Sequence, residues 1–232
     1  MLGYLKNRKI IMPIDYLHSH GFLTNASPGL RLVLQSVASE IELQPHEVLF
    51  EEGDEGDALY AIIEGSLEIS ILSRDGRKLA LDVLREGSLF GEIALFDPGP
   101  RTATATAVEK CTLRRVKNAD LLREIASSPE LAVDMIRMAG QRMRWMGSQL
   151  SEQVFLPMPI RLARRVLYLT LDQKTTLALS QAELAEHVGA TREAVSKTIA
   201  AWKKDGVIAP VRGGLKVLDR AALQVIADFE SI

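Results

Sequence analysis

Residues 90–103 read Phe-Gly-Glu-Ile-Ala-Leu-Phe-Asp-Pro-Gly-Pro-Arg-Thr-Ala, in which a glycine follows an apolar segment and opens a short turn. Gly91 allows backbone N–H groups to approach an anion closely, and the donor fork of Arg101 suits a phosphate. Glu92 would repel a phosphate, but its carboxylate can accept a hydrogen bond from a sugar hydroxyl. Together these residues fit a small phosphate that carries a ribose. A purely structural role also stays open, in which Arg101 pairs with Glu92 or Asp97.

The composition is that of an ordinary globular protein. The chain has 232 residues, 47% of them apolar and 25% charged, and this length is comfortable for two domains. Its one cysteine, Cys111, cannot form an internal disulfide or hold an iron–sulfur cluster, and no apolar run approaches the roughly 20 residues that span a bilayer. We therefore expect a cytoplasmic protein with no metal and no membrane partner. Residues 157–232 are mildly basic and residues 1–156 acidic, which favours a polyanion partner for the C-terminal third.

Residues 40–117 are typical of a β domain. Short segments rich in aliphatic and β-branched residues alternate with turn signals, and Asp75-Gly76 between two apolar runs is a strong hairpin signal. This spacing predicts a β-sandwich or barrel. Residues 1–26 lack periodicity and are interpreted as an N-terminal extension, and a helix is predicted from Leu30. The predicted strands are 47–50, 59–63, 67–72, 79–84, 102–108 and 112–116.

Residues 119–153 are predicted to be helical, because turn residues are lost there. An apolar stripe recurs at heptad spacing, which is typical of a helix that pairs with another helix. We expect self-association along this stripe, the alternative being a helix packed on its own domain. Pro157 and Pro159 then break the pattern and predict a hinge between two domains. The stripe comprises Ile136, Ala139, Gly140, Met143, Met146, Gly147, Leu150 and Val154.

A pair of short helices is predicted after the hinge. Ser180 and Glu183 form a capping box that begins the first helix, and Gly189 makes the turn. Thr191 caps a second helix over residues 192–204, whose apolar residues recur at helical spacing. This pattern predicts a helix–turn–helix, the alternative being an ordinary helical hairpin. The apolar stripe of the second helix comprises Val195, Ile199 and Trp202.

The exposed face of the second helix favours DNA binding. Its N-terminal end, where a recognition helix presents side chains to the major groove, carries Arg192, Glu193, Ser196 and Lys197. Arginine pairs with guanine, and glutamate can accept a hydrogen bond from cytosine N4. An acidic residue on a DNA-facing surface is costly unless it reads a base, so Glu193 is the most informative of the four. Ordinary solvated surface charge is the alternative.

The 90–103 segment resembles the phosphate-binding cassette of the cyclic nucleotide-binding domain family. The family pattern is Phe-Gly-Glu, an apolar triplet, a short loop, and Arg followed by Ser or Thr and Ala, and residues 52–65 resemble its strand–turn signature. The resemblance implies that the glycine and the backbone amides after it hold the cyclic phosphate and that Glu92 binds the ribose 2′-hydroxyl. It also implies that Arg101 neutralises the phosphate and that Thr102 gives it a hydroxyl contact. The implied residues are Gly91, Glu92, Ile93, Ala94, Arg101 and Thr102.

The base-reading positions depart from the family pattern. In the family, polar side chains of the long helix read the base, and the matching residues here, Met146 and Gly147, cannot make such a contact. Arg142 lies one turn earlier, and we include it among the nucleotide-binding residues. Thr102 beside Arg101 resembles the pair found in cyclic GMP-responsive domains. We expect cyclic AMP as the effector, with cyclic GMP and the absence of any effector as the alternatives.

Residues 179–204 resemble the helix–turn–helix of the CRP/FNR family of transcription regulators. Arg192 and Glu193 match its two leading base readers, and Lys197 stands at the position of a further one. Residues 207–218 resemble the wing that follows in this family. The predicted DNA-binding residues, including phosphate contacts, are Ser180, Gln181, Thr191, Arg192, Glu193, Ser196, Lys197 and Lys216.

These features predict an α+β fold with an N-terminal β-barrel or jelly-roll cyclic nucleotide-binding domain, a long dimerisation helix and a C-terminal winged helix–turn–helix. The predicted limits are 1–26 for the extension, 27–129 for the β domain, 130–156 for the dimerisation helix and 157–232 for the DNA-binding domain. The resemblance implies a homodimeric bacterial transcription regulator. It would bind double-stranded DNA at a near-palindromic site with TGTGA-like half-sites.

Other classes of function have less support from the residues. An effector-independent DNA-binding protein stays open, because the base-reading positions favour it while Glu92 and Arg101 oppose it. The sequence has no catalytic constellation, so we expect no enzyme. Haem sensors of the family need axial ligands, and His46 and Cys111 do not fall where these are expected. An RNA polymerase contact is possible for a member of this family. The 171–176 loop is shorter than the polymerase-contacting loop of the family, which leaves a contact through this loop open.

Overall fold

The computed structural model describes residues 27–171 and 175–228. The extension predicted for residues 1–26 and part of the 171–176 loop lie outside these residues. The chain divides into two compact units between Arg142 and Met143, and the predicted domain limits stay a prediction. Among the described helices, none is long and apolar enough to cross a membrane. The described residues also contain no group of three or more His, Cys, Asp and Glu side chains that could hold a metal ion.

The first unit is built around antiparallel strands. Those described are β1 (Ser39–Leu43), β2 (Val48–Phe50), β3 (Ala58–Glu64), β4 (Ser66–Leu72), β5 (Lys78–Arg85), β6 (Leu89–Phe90), β7 (Thr104–Ala107) and β8 (Cys111–Lys117). They form two four-stranded sheets, with the orders β1-β8-β3-β6 and β2-β7-β4-β5. Eight strands in two sheets with these orders make a jelly roll, and the predicted fold class is confirmed. All six predicted strands are present, whereas β1 and β6 were not predicted.

The two sheets pack face to face over one apolar core. Alternate residues of a strand face the same side of its sheet. Leu113 on β8 and Leu67 on β4 face the side between the two sheets and are fully buried there. Asp75 and Gly76 lie in the turn between β4 and β5, where Gly76 has a φ of +79°, so the predicted hairpin is confirmed. Cys111 belongs to the core, and its thiol donates to the Ser66 carbonyl at 3.0 Å.

Helices cover the outer face of the β1-β8-β3-β6 sheet. They are α1 (Pro28–Ser36), α3 (Asn118–Ser127) and the first turns of α4 (Pro129–Phe155), while the short α2 (Ile93–Phe96) follows β6. Leu30 of α1, Leu121 of α3 and Leu131 of α4 pack in one buried cluster with Leu59 of β3. This packing fixes the start of α4 against the sheet that carries Gly91 at its end.

The segment predicted to be helical over residues 119–153 consists of α3 and α4, with a break at Ser128. Two helices occupy the segment, because Ser128 leaves the helical conformation with φ −136° and ψ 86°. Pro129 follows, and the residue before a proline is disfavoured in the helical region by a clash with the proline ring. Helix α4 then runs without interruption to Phe155.

The second unit is a winged helical domain. Its elements after α4 are α5 (Met158–Leu169), β9 (Thr176–Leu177), α6 (Gln181–Val188), α7 (Arg192–Lys204), β10 (Ile208–Val211), β11 (Gly214–Val217) and α8 (Arg220–Ala227). The three strands form one sheet in the order β10-β11-β9. Pro157 is the N-cap of α5, so the break between α4 and α5 falls at the predicted prolines.

Two arginines of α5 hold the last turn of α4 to the rest of this unit. Arg164 forms a buried ion pair with Glu152 at 2.9 Å and donates from Nε to the carbonyl of Ala227 at 2.9 Å. Arg161 contacts Gln153 and donates to the carbonyl of Val188 at 2.8 Å. Burial lowers the pKa of the Arg161 guanidinium, and the neighbouring Glu152 carboxylate raises it in part. The end of α4 is therefore tied directly to the ends of α6 and α8.

Candidate nucleotide site and DNA-binding face

The guanidinium of Arg101 lies inside the first unit, and the side chain is 5% exposed. Nη1 donates to the carbonyl of Gly91 at 3.2 Å, and Nη2 donates to the carbonyl of Ala58 at 3.0 Å. The guanidinium carbon lies 4.4 Å from the ring centroid of Phe50, an attractive cation–π distance. Among the described residues, Arg101 pairs with neither Glu92 nor Asp97, and the carboxylate that it does pair with is that of Asp57.

One donor of this guanidinium has no partner. Arg101 Nε is buried and makes no hydrogen bond within the described residues. An ion pair at 3.9 Å joins Nη2 to Asp57, whose carboxylate also pairs with Arg115. A buried N–H without an acceptor is costly, and a phosphate oxygen is a suitable acceptor for a guanidinium. The residues around Arg101 therefore fit an anionic group.

Gly91 is required by the backbone beside Arg101. Its φ is +86°, a left-handed conformation that side chains with a Cβ rarely adopt. A Cβ at this position would lie 2.9 Å from the carbonyl oxygen of Ala58 and 2.9 Å from Arg101 Nη1. The absence of a side chain thus lets the backbone come close to the guanidinium, while the predicted approach of backbone N–H groups to an anion stays a prediction.

Glu92 is the second buried charge of the site. The residue is 5% exposed, and its Oε1 lies 3.4 Å from Nε of Arg142 on α4. Arg142 Nη2 also donates to the carbonyl of Leu89 at 3.3 Å. The structure therefore brings Gly91, Glu92, Arg101 and Arg142 together within the first unit.

The remaining residues predicted to bind the nucleotide differ in their exposure. Thr102 and Ile93 are exposed, and Ala94 is buried in α2. Met146 and Gly147 are exposed and belong to the second unit, so their part in the site stays a prediction.

Several contacts of the site were not predicted. Phe50 and Tyr60 flank the Arg101 guanidinium, and Asp82 lies 3.8 Å from Arg142 Nη1. The only sequence signal for Asp82 was an acidic residue inside the apolar run 79–84. No local signal existed for Phe50 or Tyr60, since an aromatic residue in a strand is ordinary core.

The predicted helix–turn–helix is present in the second unit. Ser180 and Glu183 form the capping box that begins α6, and Gly189 has a φ of +59° in the turn. The Thr191 hydroxyl accepts from the amide of Ala194 at 3.3 Å and caps α7. The predicted apolar stripe of α7 is buried, which leaves the opposite face of the helix to solvent.

The side chains predicted to contact DNA differ in their exposure and in the elements that carry them. Arg192, Glu193 and Lys197 are exposed, and Ser196 is half-buried. Lys216 is exposed on β11, the strand that forms the wing hairpin with β10. The hydroxyl groups of Ser180 and Thr191 cap α6 and α7. Gln181, the residue after Ser180, is half-buried.

Comparisons with known proteins agree with both parts. A family model of the cyclic nucleotide-binding domain matches residues 40–128, and one of the Crp-like helix-turn-helix domain matches residues 160–226. A "CRP-like cAMP-activated global transcriptional regulator" of Mycobacterium tuberculosis is 31% identical over 202 residues, covering 84% of this chain and 90% of the relative. The chain belongs to the CRP/FNR family of transcription regulators.

Two further similarities extend along most of this CRP/FNR chain. The "Cyclic AMP receptor protein" of Thermus thermophilus is 32% identical over 180 residues, which cover 77% of this chain and 83% of the relative. The crystal structure of a CRP-family transcriptional regulator, also from Thermus thermophilus, superposes with a TM-score of 0.68 at 26% identity, covering 81% of this chain and 96% of that one. CRP/FNR proteins are DNA-binding transcription regulators rather than enzymes.

Gly91→Ala should destabilise this CRP/FNR protein by about 2 kcal/mol or more. Left-handed backbone costs an L-residue about 1–2 kcal/mol, and the new Cβ would also crowd Ala58 and Arg101. Gly53→Ala is the matched control, because Gly53 has a φ of +95° and nothing within 4 Å of its Cβ position. Urea unfolding of the two variants measures the difference. Equal losses of stability would contradict a close approach at Gly91.

Proposed function

We propose that this protein is a homodimeric, sequence-specific DNA-binding transcription regulator whose effector is a cyclic nucleotide. The observation that carries the proposal is the cluster of Arg101, Gly91 and Glu92, which offers a buried phosphate donor and a sugar-hydroxyl acceptor side by side. Its family membership supplies the DNA-binding half of the function. As a regulator it would act in the cytoplasm. RNA polymerase is a possible further partner.

Cyclic AMP is the proposed effector. Both relatives named above carry cyclic AMP in their names, which supports this choice by similarity. Cyclic GMP is the alternative, because Thr102 next to Arg101 is exposed and its hydroxyl is available to a ligand. An effector-independent regulator is the remaining alternative, because Met146 and Gly147 lack the polar side chains that read the base in the family.

The homodimer is proposed from the second half of α4. Apolar side chains at heptad spacing are exposed there, with Met143 at 73% and Leu150 at 67%. Exposed apolar residues in a continuous stripe usually mark an interface, and this spacing suits a second helix of the same kind. A two-fold symmetric pair would present two copies of α7 to the two half-sites of a near-palindromic duplex.

The effector acts on DNA binding through a difference in affinity between two states. A nucleotide that binds the DNA-competent state more tightly shifts the population toward that state. In the second unit, the last turn of α4 is joined through Arg161 to Val188, the final residue of α6 before the turn into α7. A movement of α4 would therefore be passed through Arg161 to the end of α6, which the turn at Gly189 joins to the recognition helix α7.

Removing the Arg101 guanidinium should abolish nucleotide binding. Calorimetric titration is expected to show tight binding of cyclic AMP to the unmodified protein and an affinity at least about 30-fold lower for Arg101→Ala, since a buried charge pair is lost. Arg114→Ala is the control, because Arg114 pairs with Glu40 on the same sheet at 3.2 Å. Arg101→Lys keeps the positive charge but removes the planar guanidinium, so it tests whether the donor geometry of arginine is needed for nucleotide binding. Failure of the unmodified protein to bind either cyclic AMP or cyclic GMP would contradict the proposed effector.

Glu193→Ala should relax the preference at one base pair of each half-site. The lost contact is worth about 1–3 kcal/mol of discrimination, and selection from a random duplex library reports it base by base. Lys216→Ala is the contrasting variant, because a phosphate contact weakens all sequences alike. An unchanged base preference in Glu193→Ala would refute the assignment of Glu193 as a base reader.

Leu150→Glu should convert the dimer into monomers. A carboxylate placed in an apolar seam is costly to bury and would repel its symmetry mate. Sedimentation equilibrium measures the effect, with Val225→Glu as the control, since Val225 is 69% exposed on α8. The proposal fails if the unmodified protein is monomeric, or if both variants remain dimeric.

A further inference from the structure

Asp82 is a carboxylate on the interior side of the β-sandwich. It lies on β5 opposite Ile69 of β4, two residues before the core residue Leu84, and is 6% exposed. A charge in such surroundings costs free energy unless other groups compensate it, so its presence calls for a specific partner. No part of the proposed phosphate and ribose contacts uses this carboxylate.

Arg142 connects Asp82 to the nucleotide site. Its Nη1 lies 3.8 Å from Asp82 Oδ2, while its Nε lies 3.4 Å from Glu92 Oε1. A single guanidinium is thus shared by two buried carboxylates. Asp82 is therefore next to the group assigned to the ribose, although it is distant from Glu92 in the sequence.

The two arginines of the site contact different groups. Arg101 bonds to the carbonyls of Gly91 and Ala58, whereas Arg142 contacts both carboxylates and the carbonyl of Leu89. With the phosphate assigned to Arg101 and the ribose to Glu92, the base is the part of the nucleotide that remains for Arg142 and Asp82. A carboxylate beside a guanidinium presents an acceptor next to donors, which complements an amino group next to a ring nitrogen.

We propose that Asp82 selects the base, by accepting a hydrogen bond from the 6-amino group of adenine while Arg142 donates to a neighbouring ring nitrogen. This inference rests on the proposed cyclic AMP effector and names the residue that recognises its base. It also explains how the base can be recognised although Met146 and Gly147 have no polar side chain to offer it. Asp82 is then a specificity residue, while the phosphate and ribose contacts supply affinity common to all cyclic nucleotides.

The test compares cyclic AMP with purine riboside 3′,5′-cyclic phosphate, which lacks the 6-amino group. Calorimetry on the 232-residue chain should show that the unmodified protein prefers cyclic AMP by about tenfold or more, the effect of a hydrogen bond to a charged group. Asp82→Ala should bind the two ligands within about twofold of each other. Asp82→Val repeats the test with a β-branched residue that suits a buried strand, in case the alanine variant does not fold.

Glu68→Ala is the matched control, because Glu68 lies on the neighbouring strand β4 and pairs with Lys78 at 2.5 Å. Its preference for cyclic AMP should equal that of the unmodified protein. The inference is overturned if the Asp82 variants keep the full preference, or if the unmodified protein does not distinguish the two ligands. Tighter binding of cyclic GMP than of cyclic AMP would also overturn it. Binding of neither ligand by the unmodified protein would instead refute the proposed effector itself.

Discussion

The burial of the Arg101 guanidinium is the constraint on which the nucleotide site depends. A positive charge inside a β-sandwich must be surrounded by acceptors, and two carbonyl oxygens and an aromatic face supply them. The carbonyl of Gly91 reaches Arg101 only because the chain turns there with a positive φ, which restricts the position to glycine. The same turn places Glu92 in the interior, where Arg142 of α4 balances its charge. The site is therefore built as one electrostatic unit, in which Arg101 Nε has no hydrogen-bond partner among residues 27–171 and 175–228.

Arginine has a comparable role in the second unit. Arg164 neutralises Glu152 in a buried pair and also satisfies the carbonyl of Ala227, while Arg161 satisfies the carbonyl of Val188. Carbonyl groups at helix ends lack partners within their own helix, so these bonds stabilise the ends of α6 and α8. Because both arginines also contact the last turn of α4, the orientation of the helix–turn–helix is coupled to that turn. Helix α4 thus contributes Arg142 to the nucleotide site and Glu152 to the DNA-binding unit.

Features set by short-range chemistry could be predicted from the sequence. The capping box at Ser180, the left-handed turn at Gly189 and the glycine at position 91 each have one strong local cause, and the structure has all three. The break between α3 and α4 has a local cause as well, the proline at position 129. Contacts such as Asp82 with Arg142 could not be predicted, because they join strand β5 to a helix far along the chain and depend on how the sheets pack. The partners of Arg101 could not be predicted for the same reason, since Ala58 and Phe50 lie on strands more than 40 residues earlier in the chain.

The central claim is that nucleotide binding and DNA binding are coupled, and thermodynamic linkage tests it most directly. Fluorescence anisotropy with a duplex selected by the protein itself gives the DNA affinity without nucleotide and at saturating cyclic AMP, and calorimetry gives the nucleotide affinity with and without that duplex. The account predicts that cyclic AMP raises the DNA affinity by about 5- to 150-fold and that DNA raises the nucleotide affinity by the same factor. A DNA affinity that is identical without nucleotide, with cyclic AMP and with cyclic GMP would contradict the account.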